Sequence, residues 1–529
     1  MISFKPNNQL TMFNKGIMEQ IDQNHKFSLL AKEIDFDELT NKFSEAYSAL
    51  GRTNVPIRLL TGLTIVKFFE NLSDAQVIDL YMQSPYLQFL CGQVEFQTKV
   101  PCSSGMLSLF RKRIGVEGCN EIFRASVSIH GKNAQEDVVI ADTTAQPKNI
   151  TFPTDVKLLN KVIIRCQKLA KKYKIKLNNT YKKEVKNLLK TLRFERGKEK
   201  VKEVKKAKRR LTTIAGRLVR ELQRKMTDDQ RNANAEDFIN YNKVIDQCKG
   251  PQKDSEKYLN EAKTLRDIID ECMALLETYG IKIRNSPDEK AEGAFENLKN
   301  ASGRGKEAKI KDGISSLKKV CRELIKKLEK KLSKDQLEDI KEDVARFKET
   351  LNPQKKDTKI YSLHEPHVAC IAKGKAGKKY EFGSKASIAI TKDSGIIVGA
   401  VNFEGNPHDS NTMEKTVAHV GEITGKLPNA AYADRGYKGA QEKNPGIKVY
   451  IPSSASGEMS KEEKEEIIAN FGRRSAIEPI IGHVKNDFRL ARTFLKGVVG
   501  DKINLLLSCA AFNLKKWIRS KIGKVVLQT

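Results

Sequence analysis

Hydrophobic positions along the chain change period twice. After Pro56, Leu59, Leu63, Val66 and Phe69 recur at helical spacing, and Ser73-x-x-Gln76 has the spacing of a helix-capping box. Residues 1–120 therefore read as a helical, apolar region with its own core. Short strand-like runs follow at Val138-Val139-Ile140, Ser387–Thr391, Ile396–Phe403, Asn429–Ala433 and Ile447–Ile451. Lys392-Asp393-Ser394-Gly395 has the composition of a hairpin turn between two of these strands.

The helical period returns between the first strand and the rest. Val204, Ala207, Leu211, Ile214, Leu218 and Leu222 form one buried stripe, and similar seams run through Leu265, Ile269, Met273 and Leu276 and through Leu317, Val320, Leu324 and Leu328. No proline occurs between Pro153 and Pro251, so long helices are permitted, with breaks at Gly250-Pro251, Gly280, Ser286-Pro287 and Asn352-Pro353. Strands on both sides of a helical block predict an α/β or α+β chain: a helical N-terminal domain over 1–120, a mixed-sheet domain from 121–155 and 356–520, a helical insertion over 156–355, and a tail over 521–529. At 529 residues the chain has room for about three domains.

Charge changes this picture for one segment. The chain carries 96 Lys+Arg against 66 Asp+Glu, a net +30, and residues 156–225 alone hold 26 basic and 5 acidic residues, or +21. Such a field attracts polyanions, with nucleic acid foremost. Lys202, Lys205, Lys206, Lys208, Arg209 and Arg210, together with Lys373 and Lys375, are the candidate DNA contacts. Residues 226–355 hold 27 basic and 26 acidic residues, which fits a solvated mixed-charge face. The competing reading of the basic block is a solvated spacer. A 39% hydrophobic fraction excludes a disordered polycation.

No apolar run approaches the ~20 residues that span a bilayer, and Met1–Met12 lacks the features of a secretory signal, so a cytoplasmic protein without membrane contact is expected. The nine scattered cysteines contain no C-x-x-C pair and read as reduced thiols.

Among many carboxylates, position on predicted elements narrows the choice. Asp142 ends the run Val138–Ala141, and Asp434 ends Ala430–Ala433, where strands deliver side chains to the mouth of a sheet. Arg474, Glu478 and Lys485 fall within roughly 40° on one helical face. For any single Asp at a strand end, a turn or cap role is the competing reading. His364-x2-His367-x2-Cys370 lacks a fourth ligand at finger-like spacing, which argues against zinc. Asp409 precedes a helix-like start and reads as an N-terminal cap, and His483 reads as a surface residue.

Asp142-Thr143-Thr144, Asp434-Arg435-Gly436-Tyr437 and Arg474-x3-Glu478-x6-Lys485 resemble the three motifs of DDE transposases of bacterial insertion sequences. Pro85–Gly92 with Phe110–Gly115, and Lys373–Ala376 with Tyr380–Gly383, are similar to other parts of that group. Phe471 stands where much of the group has Tyr. The resemblance implies a ribonuclease-H-like fold in which Asp142, Asp434 and Glu478 hold two Mg²⁺ ions, with Mn²⁺ as substitute, Asp142 bridging the two. It further implies phosphate contacts from Arg474, Lys485 and Tyr437, cleavage and strand transfer of double-stranded DNA at terminal inverted repeats, and a homodimer on paired ends. Two alternatives stay open: a catalytically inactive DNA-binding relative, and a simple metal-dependent nuclease.

Overall fold

A computed structural model of the chain describes residues 16–47, 55–193, 201–248, 255–281, 287–299, 306–351, 359–375, 378–444, 446–452, 465, 468 and 471–526. Six strands, β1 (Val138–Pro147), β2 (Ala369–Lys375), β3 (Lys378–Thr391), β4 (Ile397–Phe403), β5 (Ala430–Tyr432) and β6 (Lys448–Tyr450), form one mixed sheet. β1 lies at its centre. One edge of β1 pairs antiparallel with β3, from Val139 opposite Thr391 to Pro147 opposite Gly383, and the other pairs parallel with β5. β3 also pairs antiparallel with β2 and β4, and β5 pairs parallel with β6. Four antiparallel-paired strands, β1 to β4, flanked by β5 and β6 running parallel to β1, make a ribonuclease-H-like mixed sheet. Gly383 is required where β3 passes β1, because a Cβ there would fall 1.9 Å from the Gln146 carbonyl oxygen.

The sheet buries its apolar face under helices. Met413–Thr424 packs on β3 and β4, while the long helix Gly497–Val526 packs on β4 and also on the N-terminal helices Ile57–Phe69 and Ser104–Ser128. Gly115, at φ +68°, interrupts the last of these. Ser73 and Gln76 form the reciprocal capping box at the start of Asp74–Gln83. One hydrophobic cluster runs from Phe27 to Ile518. It crosses the border expected near residue 120, since Gly497–Val526 touches both regions, and that helix continues past residue 520.

Two buried ionic groups lie inside this unit. Asp74 accepts from Lys67 at 2.8 Å and receives the fork of Arg111 at 2.8 and 2.7 Å. Lys148, next after β1, lies 2.6 Å from Asp501 and 3.5 Å from Glu365, and His367 Nε2 lies 3.3 Å from Asp501 Oδ2. These contacts tie the end of β1 to the start of the last helix.

The chain divides into two compact units, Met1–Thr154 with Ile360–Thr529, and Asp155–Lys359. In the second, Val201–Lys225 packs against Asp155–Lys172, Lys182–Arg193 and Ala235–Cys248. Its seam is completely buried at Leu211, Ile214, Leu218 and Leu222. The two later seams meet in a separate cluster that includes Leu265, Ile269, Leu317 and Leu328. Gly280 ends a helix at φ +67°, and Pro287 opens the next. The expected breaks at Gly250-Pro251, Ser286 and Asn352-Pro353 lie outside the described residues. All nine cysteines are free, most of them buried. No described helix is long and apolar enough to cross a membrane.

Candidate active site

The parallel ladder between β1 and β5 matches Val138 with Ala430, Val139 with Ala431 and Ile140 with Tyr432. Two residues further on, the same offset leads to Asp142 and Asp434. β5 has ended by then, and Asp434 caps a short 3₁₀ turn by accepting from Gly436 N at 2.9 Å. Asp142 does not end its strand as the sequence suggested. β1 continues to Pro147 and keeps Asp142 opposite Ile388; only its pairing with β5 stops at Ile140. The gap left by β5 opens beside Asp142.

Burial pushes the Asp142 carboxyl up to about 6, with the charges of Asp434 and Asp409 adding to the rise and a hydrogen bond from Thr143 N and the charge of Arg474 opposing it. Asp409 is the residue that sequence reasoning assigned elsewhere. It does not cap the following helix, whose N-cap is Thr412. Its Oδ1 instead accepts from Thr143 Oγ1 at 2.7 Å and Lys385 Nζ at 2.8 Å. Its Oδ2 lies 2.7 Å from where a Gly436 Cβ would sit, and Asp434 Oδ1 lies 2.9 Å from the same point. Two aspartates from separate segments, Asp409 and Asp434, thus meet at Gly436, and the charge of each acts on Asp142. No local signal links Asp409 to Lys385, 24 residues earlier on β3.

Arg474 and Glu478 approach to 3.5 Å as an i,i+4 pair, with Glu478 largely exposed. Glu478 is therefore turned toward Arg474 and is not gathered with the aspartates. Lys485, on the same Ile477–Asp487 helix, lies 3.5 Å from Glu381 of β3. Phe471 packs edge-on against Tyr432 at 5.3 Å between ring centroids. The expected phosphate contact from Tyr437 is corrected: the residue is 1% exposed, and the apolar core that holds its ring keeps its hydroxyl from a DNA backbone. His483 pairs with Asp487 at 2.8 Å on the surface.

The basic candidates divide. Lys208 bonds Asp155 at 2.5 Å and Arg210 bonds Glu184 at 2.6 Å, so these two cations are engaged within the insertion and are not free for phosphate. Lys205, Lys206 and Arg209 are exposed. The side chains of Lys202, Lys373 and Lys375 lie outside the described residues.

Among the described residues no three His, Cys, Asp or Glu side chains converge as a ready ligand set. The donor chemistry nevertheless fits a divalent cation. Asp142 and Asp434 offer hard oxygen donors of the kind such an ion prefers, and burial disfavours the bare Asp142 carboxylate. Lys385 neutralises only Asp409, through the oxygen turned away from Gly436.

Comparison with known proteins identifies two segments of the chain. Residues 16–113 match the family described as Transposase domain (DUF772), and residues 357–514 match the family described as Transposase DDE domain. An uncharacterized protein of Rhizobium meliloti, ORF8 in the nfe locus, is 36% identical over 157 residues, which cover 29% of this chain and 76% of that protein. No solved structure matches the chain. With its two transposase domains and a ribonuclease-H-like sheet, the chain belongs to the DDE transposases of insertion sequences.

Proposed function

We propose that Asp142, Asp434 and Glu478 hold two Mg²⁺ ions, replaceable by Mn²⁺, and that the enzyme cuts double-stranded DNA at the terminal inverted repeats of its element and joins the ends to target DNA. The observation that carries this reading is that Asp142, on β1, and Asp434, just past the end of β5, each follow the matched pair Ile140 and Tyr432 by two residues, with the charge of Asp434 acting on Asp142. Bound there, divalent ions would activate water or a 3′-hydroxyl and stabilise the leaving oxygen. Asp142 would contact both ions, Asp434 one of them, and Glu478, once released from Arg474, the other. Arg474, freed in turn, presents its fork to a phosphate. Lys485 adds a point charge beside the same strand. Asp409, anchored by Lys385 and Thr143, keeps the Asp434 turn in place. Paired ends call for two copies of the chain.

The test is an end-bearing duplex incubated with purified protein and a target plasmid. Cleavage and joining are expected in Mg²⁺ or Mn²⁺, and neither in EDTA or Ca²⁺. Cleavage without joining would favour a simple nuclease, and duplex binding with no cleavage in any metal would favour an inactive relative.

A further inference from the structure

The Val201–Lys225 helix has two opposite faces of different chemistry. Its apolar seam is buried against neighbouring helices. On the far side, Lys206, Arg209, Arg217, Arg220 and Arg224 are all exposed. At 100° per residue these five fall within about 80° of one another, and they extend over about 27 Å of helix, one cation or small residue per turn. Thr213 fills the middle of the stripe. Arg220 lies along it, with Nη1 3.2 Å from where a Cβ on Gly216 would sit.

No acid interrupts this face. Of the two acids of the helix, Glu221 is buried and bound to Lys225 and to the amide of Asn178, and Glu203 sits in the first turn, about 60° to one side of Lys206. Cations elsewhere in the insertion have acidic partners: Lys208 with Asp155, Arg210 with Glu184 and Arg165 with Asp237. None of the five ridge cations forms an ion pair with a described acid. An ordinary solvated helix face interleaves both signs, because like charges at i,i+3 and i,i+4 repel. Glu184 and Glu221 act on Arg217 and Arg224 only through their charge, without an ion-pair contact, which leaves the ridge cations open to an external anion.

We infer that this ridge is a docking surface for the phosphate backbone of duplex DNA. This rests on the transposase reading for the identity of the polyanion, while the face itself follows from charge and exposure. The partner is duplex because single-strand sites add aromatic side chains on which bases stack, and the ridge has none. The ridge reads phosphates and carries little sequence information. It also departs from the sequence-based candidates: Lys208 and Arg210 are excluded, and Arg217, Arg220 and Arg224 are included.

The test compares full-length wild type with two variants. The ridge variant combines Lys206→Gln, Arg209→Gln, Arg217→Gln, Arg220→Gln and Arg224→Gln; the control combines Lys208→Gln and Arg210→Gln. Affinity for end-bearing and random duplexes is measured by fluorescence anisotropy as salt is raised, with thermal melting to verify folding. A second ridge variant, Arg217→Gln with Arg220→Gln, serves if the fivefold change melts early. The ridge variant is expected to weaken both duplexes alike and to flatten log affinity against log salt by about 0.9 for each phosphate no longer neutralised, while the control keeps the wild-type slope. An unchanged slope in the ridge variants would overturn the inference, and so would an equal loss in the control. Wild-type cleavage of end-bearing DNA is scored separately, so that loss of the ridge and loss of the transposase reading give different results.

Discussion

Asp142 and Asp434 each lie two residues beyond the matched pair Ile140 and Tyr432, the first still on β1 and the second just past the end of β5. Because β5 ends at Tyr432 while β1 continues, Asp142 is held rigidly in a paired strand and Asp434 heads a turn. One carboxylate is fixed by the sheet, and the other is fixed by its own capping bond. Ionising Asp142 in its buried place is costly, and that cost has measurable consequences.

The folded-state value of Asp142, about 6, lies above its ordinary value of 3.8, with burial the largest cause. The native state therefore holds this proton over a range in which the unfolded chain has released it. Stability from this group falls as pH rises from about 4 to 6 and stays low above, by an amount on the order of 2–3 kcal/mol. In EDTA, Asp142→Asn should raise the melting temperature at pH 7.5 and leave it nearly unchanged at pH 4. Equal shifts at the two pH values would contradict the assignment.

Gly436 leaves room for two carboxylates. A methyl group there would stand 2.7 Å from Asp409 Oδ2 and 2.9 Å from Asp434 Oδ1, so Gly436→Ala must push them apart. Cleavage should fall about 100-fold through this displacement, while duplex affinity stays at the wild-type value. A wild-type single-turnover rate would show that this spacing does not matter.

The N-terminal helices depend on a different buried group. Burial, then Arg111, pushes Lys67 down to about 8, with Asp74 opposing. Asp74→Asn would leave Lys67 and Arg111 without their counter-charge, at a cost of about 3–5 kcal/mol in urea unfolding. Adding Lys67→Met to that variant should recover part of the loss. No recovery would mean that packing, and not charge, sets the cost.

Local patterns were legible where local physics decides. The seam from Leu211 to Leu222, the Ser73–Gln76 box and the apolar start of β1 all follow from spacing between near neighbours. The rest depends on distant partners. β1 extends to Pro147 because Gln146, fully buried, bonds Thr493 and Asn402, which hides its polar residues from any hydropathy pattern. Asp409 resembles a cap until Lys385 and Thr143 are seen beside it. Lys208 and Arg210 look like free cations until other helices supply Asp155 and Glu184. Glu478 was legible as the partner of Arg474, four residues away.

Arg474 and Lys485 should differ in their tolerance. Arg474→Lys keeps the charge and loses the planar fork, so single-turnover cleavage should drop by about tenfold or more. Lys485→Arg keeps a positive charge at the same place and should be milder. If both changes are silent, Arg474 serves only as the surface partner of Glu478.

The central claim is that Asp142, Asp434 and Glu478 act together on DNA. The most direct measurement is single-turnover cleavage of an end-bearing duplex in Mg²⁺ by Asp142→Asn, Asp434→Asn and Glu478→Gln, with duplex affinity measured on the same preparations. Each variant should lose nearly all cleavage while binding stays within a few-fold of wild type, because phosphate affinity comes mainly from the basic surfaces. Normal turnover by Glu478→Gln, the one member that the structure holds apart from the aspartates, would contradict the account.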